Sequence, residues 1–534
     1  MSPSLSRRSF LVGGLATTAA VTLPGGLLSA GTALAGGAGP SGRLGDPFML
    51  GVASGDPAPD GVVLWTRLAP SPLADDGLGG MPQRVIPVQW QVASDEGFRR
   101  VVQHGTEQPR PESAHSLHVE LRGLQPGREY FYRFRAQGHV SPVGRTRTAP
   151  APDSRPDALL MAFASCSQYE HGLFTAYRRM AEEQPELVLH LGDYIYEHKA
   201  GPGGFTAPIG NVRNHAGPET ETLANCRQRH AQYKTDPDLQ LAHAVAPWVV
   251  VWDDHEVDNN WADEIPEKPE IPQPNFLARR SAAFQAYYEN MPLRRASVPQ
   301  GIDLQLYRRI QWGRLTTFHM LDTRQYRSDQ ACGDRAQAGC AERLLPERSI
   351  TGAEQERWLL DGLDRSKATW DVLGQQVFFA QRDFDPGDPQ VVSMDGWDGY
   401  KASRDRILQG FESRDVRNPV VLTGDVHRHY ANDLKADFDD PSSATVGVEL
   451  VTTSITSNGD GFDTTVATDN QLAENPHIRF ANSQRGYVTT RFSKKQLQAD
   501  FKVLPQGVRT AGSPAVTRAS FVVEDGRPGL NRTT

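Results

Sequence analysis

The sequence predicts an α/β protein in which a central β-sandwich of mixed sheets, flanked by helices, follows a small all-β domain. Three observations predict it. From Leu159 onward, apolar runs of strand length alternate with a stretch of helical periodicity, the pattern of a βαβ unit. Several of those runs end on residues that carry chemistry, as strands of open α/β sheets do. Residues 44–149, by contrast, hold only short alternating segments separated by turn formers.

The first 35 residues are read as a leader. Ser6-Arg7-Arg8-Ser9-Phe10-Leu11 is a twin-arginine pattern, a mildly apolar stretch runs from Leu11 to about Leu28, and Ala33-Leu34-Ala35 is a small-residue cleavage site. The competing reading is a membrane anchor, but the stretch is short, rich in Gly and broken by Pro24. The mature chain then begins near Gly36, has no transmembrane segment, meets the twin-arginine translocase during export, and resides outside the cell or in its envelope. Strands are expected at 62–68, 85–93, 115–124 and 129–136, with Tyr130, Tyr132 and Phe134 alternating in the last. Leu124, Pro126, Gly127 and Tyr130 resemble the fibronectin type III turn into a corner tyrosine. The Pro-rich stretch 148–158 reads as a linker.

A second domain is expected over 155–520, with 521–534 as a C-terminal tail. LLMAFA (159–164) is a buried strand, and 172–183 is a helix with Leu173, Tyr177 and Met180 on one face. LVLHL (187–191), WVVVW (248–252), LTTFHML (315–321), VLGQQVFFA (372–380) and PVVLT (419–423) continue the apolar strands. The segments 446–456, 487–493 and 498–504 look more antiparallel. Cys332 and Cys340 flank a short Gly-containing loop and are expected to form a disulfide in an exported chain; Cys166 and Cys226 have no evident partner. With 56 Lys and Arg against 64 Asp and Glu, and no basic stripe, a stable nucleic-acid complex is not expected.

The chemistry gathers at four strand ends: Ser165-Cys166-Ser167-Gln168, Gly192-Asp193-Tyr194-Ile195-Tyr196, Asp253-Asp254-His255-Glu256 and Gly424-Asp425-Val426-His427. Each has a bland reading, since buried Cys is usually core and Asp after Gly usually a turn residue. Joint placement on one rim argues for a metal cluster. This skeleton resembles the calcineurin-like metallophosphoesterases, altered as in the PhoD alkaline phosphatase family. FMLGVASGDP (48–57), WDDHEVDNN (252–260) and LDTRQYR (321–327) resemble that family too. The resemblance implies a metallophosphoesterase core and six metal ligands: Cys166, Asp193, Tyr196, Asp254, Asp425 and His427. It further implies one Fe(III) and two Ca(II), with Asp193 bridging. Thiolate and phenolate ligands at Cys166 and Tyr196 suit a strongly acidic transition metal, whereas Asp254 and Asp425 supply hard oxygen for calcium.

The expected reaction is hydrolysis of a phosphate ester at alkaline pH, with a phosphodiesterase or phospholipase D-like activity as the alternative. A non-catalytic exported binding protein is the remote one. A monomer is expected. His255 is either the acid that protonates the leaving oxygen or a structural histidine oriented by Glu256. Arg324 either clamps phosphate or joins a buried ion pair. His429 contacts phosphate only if it shares a strand face with His427.

Overall fold

The strands at 158–164 and 187–191 are apolar on both faces because both faces are covered, and they anchor one of two packed mixed sheets. The computed structural model describes residues 44–201 and 210–534; the leader lies outside the described residues. The larger sheet runs in the order Arg527–Arg532, Val516–Glu524, Gln496–Val503, Gly486–Ser493, Ala158–Ala164, Leu187–Leu191, Pro247–Val251, Ala53–Ala58, Gly61–Arg67 and Ser116–Glu120. The smaller runs Arg308–Trp312, Thr316–Met320, Trp370–Gly374, Pro419–Thr423, Thr445–Val451, His429–Lys435 and Ile478–Asn482. In each sheet the central strands are parallel and the flanking ones antiparallel.

Strand alternation explains the layering. Val372, Val420 and Leu450 face the core between the sheets, with Leu189 and Val249 opposite. Their neighbours Leu373, Val421 and Val451 face outward onto Leu359, Leu363, Ile407 and Phe411 of helices Gly352–Arg365 and Lys401–Ser413. Helix Thr175–Glu182 buries Tyr177 and Met180 on the larger sheet; Leu173 precedes it.

Two expectations need correction. The small sandwich exists, since Val62, Leu64 and Val119 pack on Val88, Val92, Tyr132 and Phe134. Yet one of its two layers is the edge of the larger sheet, because Ser54 and Gly55 pair in parallel with Pro247 and Trp248. Local patterning could not reveal a pairing nearly two hundred residues distant. The expected tail 521–534 is instead the end of strand Val516–Glu524 and the edge strand Arg527–Arg532. Cys332 and Cys340 are joined as a disulfide, with a Cα–Cα separation of 6.1 Å.

Candidate metal centre

Parallel strands deliver their carboxyl ends to one rim, and the turns there are unusual. Cys166, Asp193, Asp425 and His427 all have positive φ, between 53° and 61°. L residues adopt this left-handed region at a cost, and such strain collects at functional sites. Gly192, at φ +107°, permits the turn into Asp193 to lie close to the next strand end: a Cβ there would lie 2.4 Å from the Asp253 Cβ.

Three groups of ligand-type atoms occur among the described residues, each within 4.8 Å. One, Glu197 with His198 and His255, adjoins the two that meet here: Cys166 with Asp193 and His427, and Asp193 with Asp254 and His255. Asp193 is common to both. Its Oδ2 accepts a hydrogen bond from the Tyr196 hydroxyl at 2.9 Å, and the same hydroxyl lies 3.2 Å from His427 Nε2. Cys166, Asp193, Tyr196, Asp254 and His427 are therefore brought together as expected. Asp425 lies outside both groups, though its charge reaches Cys166.

Crowded anions oppose ionisation. Burial, then Asp254, pushes Asp193 well above the usual carboxylate range. Burial, then Asp193, pushes up the Cys166 thiol and the Tyr196 phenol. Asp193 Oδ1 and Asp254 Oδ1 are buried without a hydrogen-bond partner. A buried carboxylate oxygen left unpaired is costly, and a cation is the partner such oxygens lack. This donor set fits a metal cluster bridged by Asp193, with sulfur, phenol and imidazole at one end and carboxylates at the other.

His255 is oriented by Glu197 and not by Glu256. Its Nδ1 lies 2.8 Å from Glu197 Oε2, and its Nε2 is 4.0 Å from Asp254 Oδ2. Burial alone would lower this imidazole, but Glu197, Asp254 and Asp193 hold it well above its ordinary value. Glu256 turns to the backbone: its carboxylate accepts the amides of Asp193 (3.1 Å), Tyr194 (2.6 Å) and Asp253 (2.9 Å). It thus pins the two acidic turns together.

Arg324 is fully buried and committed elsewhere. Its Nε donates to Asp253 at 2.5 Å, and its two terminal nitrogens donate to Asp395 at 2.8 and 3.0 Å. The structure shows the buried ion pair, with three of the Arg324 N–H groups given to carboxylates. His429 opens strand His429–Lys435, while His427 sits before it in a left-handed turn, so the two share no face. His429 Nδ1 accepts the Thr453 amide at 3.1 Å and Nε2 lies 3.2 Å from the Lys502 carbonyl, leaving nothing for substrate. Trp397 is buried, donating to Gln375 Oε1 at 3.0 Å.

The sequence reading missed Glu197 and the run Thr452–Asn458. Strand Thr445–Val451 is parallel to Pro419–Thr423, so its carboxyl end reaches the same rim. Expecting an antiparallel strand through 456 hid that end.

Family comparison agrees with this geometry. Residues 161–501 match the PhoD-like phosphatase model, 35–150 its N-terminal domain, and 4–24 a twin-arginine translocation signal sequence. The chain is 51% identical over 488 residues to alkaline phosphatase D of Bacillus subtilis (strain 168), covering 91% of this chain and 82% of that one. A solved structure of PhoD superposes with a TM-score of 0.89 at 51% identity, covering 92% of each chain. No helix among the described residues is long and apolar enough to cross a membrane. With the acidic, thiol, phenol and imidazole groups converging at its strand ends, the chain belongs to the PhoD-like phosphatase family and is an exported, metal-dependent phosphoesterase.

Proposed function

We propose that this phosphoesterase is an alkaline phosphatase that works with one Fe(III) and two Ca(II), held by Cys166, Asp193, Tyr196, Asp254, Asp425 and His427. The observation that supports this most directly is Asp193, whose carboxylate belongs to two ligand groups at once and keeps one oxygen buried and unpaired. Cys166, Tyr196 and His427 would serve the iron, while Asp254 and Asp425 would serve calcium. Bound there, the cations would neutralise phosphate charge and favour ionisation of an attacking water.

The protein's own contribution is placement and proton transfer. Glu197 accepts a hydrogen bond from His255 Nδ1–H, so the Nε2 proton faces the acidic side of the site. From there His255 can protonate the leaving oxygen. Arg324, with Asp253 and Asp395, holds the turn that carries Asp254 and makes no substrate contact.

Elemental analysis of the purified protein, combined with rates on p-nitrophenyl phosphate, bis-p-nitrophenyl phosphate and phosphatidylcholine, tests the reading. Near-stoichiometric iron, inhibition by EGTA and fastest turnover of the monoester are expected. Faster diester cleavage would reassign the enzyme as a phosphodiesterase, and full activity in EGTA would remove calcium.

A further inference from the structure

The run Thr452–Asn458 crosses from the smaller sheet to the larger at the metal centre. Ser454 bridges to Ser165 in parallel, and the Ile455 amide donates to the Ser165 carbonyl at 3.0 Å. That crossing presses Ser457 and Asn458 against the soft end of the cluster. Ser457 Oγ lies 2.7 Å from the Tyr196 oxygen and 2.9 Å from the Cys166 carbonyl. It accepts the Gln168 amide at 3.2 Å. Asn458, at φ 68°, donates from its side-chain Nδ2 to His427 Nδ1 at 2.9 Å.

A hydroxyl has one proton to give. While Tyr196 donates its own proton to Asp193, Ser457 can serve the Cys166 carbonyl. Toward a phenolate it turns to the Tyr196 oxygen, with no heavy atom displaced.

We propose that Ser457 is a positioning residue for the iron ligand Tyr196, its hydroxyl donating a hydrogen bond to the Tyr196 phenolate. The inference rests on the iron reading above, and the experiments separate the two.

Two variants and a visible spectrum test it. In iron-loaded protein, Ser457→Ala should shift the visible absorption band to longer wavelength, because a phenolate stripped of a donor gives up charge to iron more readily. Ser457→Thr, which keeps a hydroxyl at that point, should return the band toward its wild-type position. Ser457 is buried, so a thermal melt checks that each variant folds. An unmoved band in folded, iron-loaded Ser457→Ala overturns the role. Wild-type protein that binds no iron overturns the iron reading itself.

Discussion

Glu197 follows Tyr196 in the chain, yet the two side chains do different work. Tyr196 points at Asp193, while Glu197 holds His255. If His255 protonates the leaving oxygen, His255→Gln should cut kcat by about 10²- to 10⁴-fold on alkyl phosphates. It should cost much less on p-nitrophenyl phosphate, whose leaving group needs no proton. Equal losses on both substrates, measured alongside metal content, would instead make His255 a support for the metals. Glu197→Gln should reproduce the same leaving-group bias more weakly. Arg324 belongs to a different category, because removing it strands the buried carboxylate of Asp253, while Asp395 keeps Arg327. Arg324→Ala should lower stability by about 3–5 kcal/mol in denaturant titration. If KM rose while stability held, the phosphate clamp would have to be reinstated.

Among elements, the turns after the strands are the sensitive parts. Left-handed backbone at Cys166, Asp193, Asp425 and His427 is held from outside, by the Glu256 carboxylate in the case of Asp193. Gly192→Ala tests how much the Asp193 turn tolerates. Its Cβ would meet Asp253 at 2.4 Å, and positive φ adds backbone strain. The expected outcome is a loss of about 1–3 kcal/mol together with bound metal. A variant that keeps wild-type metal content would show that the two acidic turns need not lie so close. These turns were legible as sites because each follows an apolar run. The Thr452–Asn458 run was not, since a Thr- and Ser-rich stretch after Val451 is locally indistinguishable from more strand.

At the scale of the whole molecule, the seam between the first strands and the rest is built from buried charge. Lys234 Nζ sits 4.3 Å over the Trp65 ring and 5.1 Å from that of Tyr194, with His243 Nε2 at 3.5 Å. Burial, then Arg67, pushes its ammonium down to about 7. In the unfolded chain the same group titrates near 10. Between those values the unfolded state holds a proton that the native state lacks, so stability should rise as pH increases from about 7 to about 10. Lys234→Met should flatten that rise and raise the melting temperature at pH 6, as read by calorimetry. An unchanged pH profile would show that Lys234 keeps its proton in the fold.

By itself, the sequence determined the fold class, the export signal, the disulfide and which residues stand at the strand ends, because apolar periodicity and the residues that interrupt it are local properties of the chain. Only the tertiary structure decided that Arg324 faces carboxylates, that Glu197 orients His255, and that His429 is sealed in the core. It also decided that the first strands extend the larger sheet and that the last residues edge it. The reason is common to all of these: which partner a polar side chain or a strand edge finds depends on segments far away in sequence, and burial then makes that pairing obligatory.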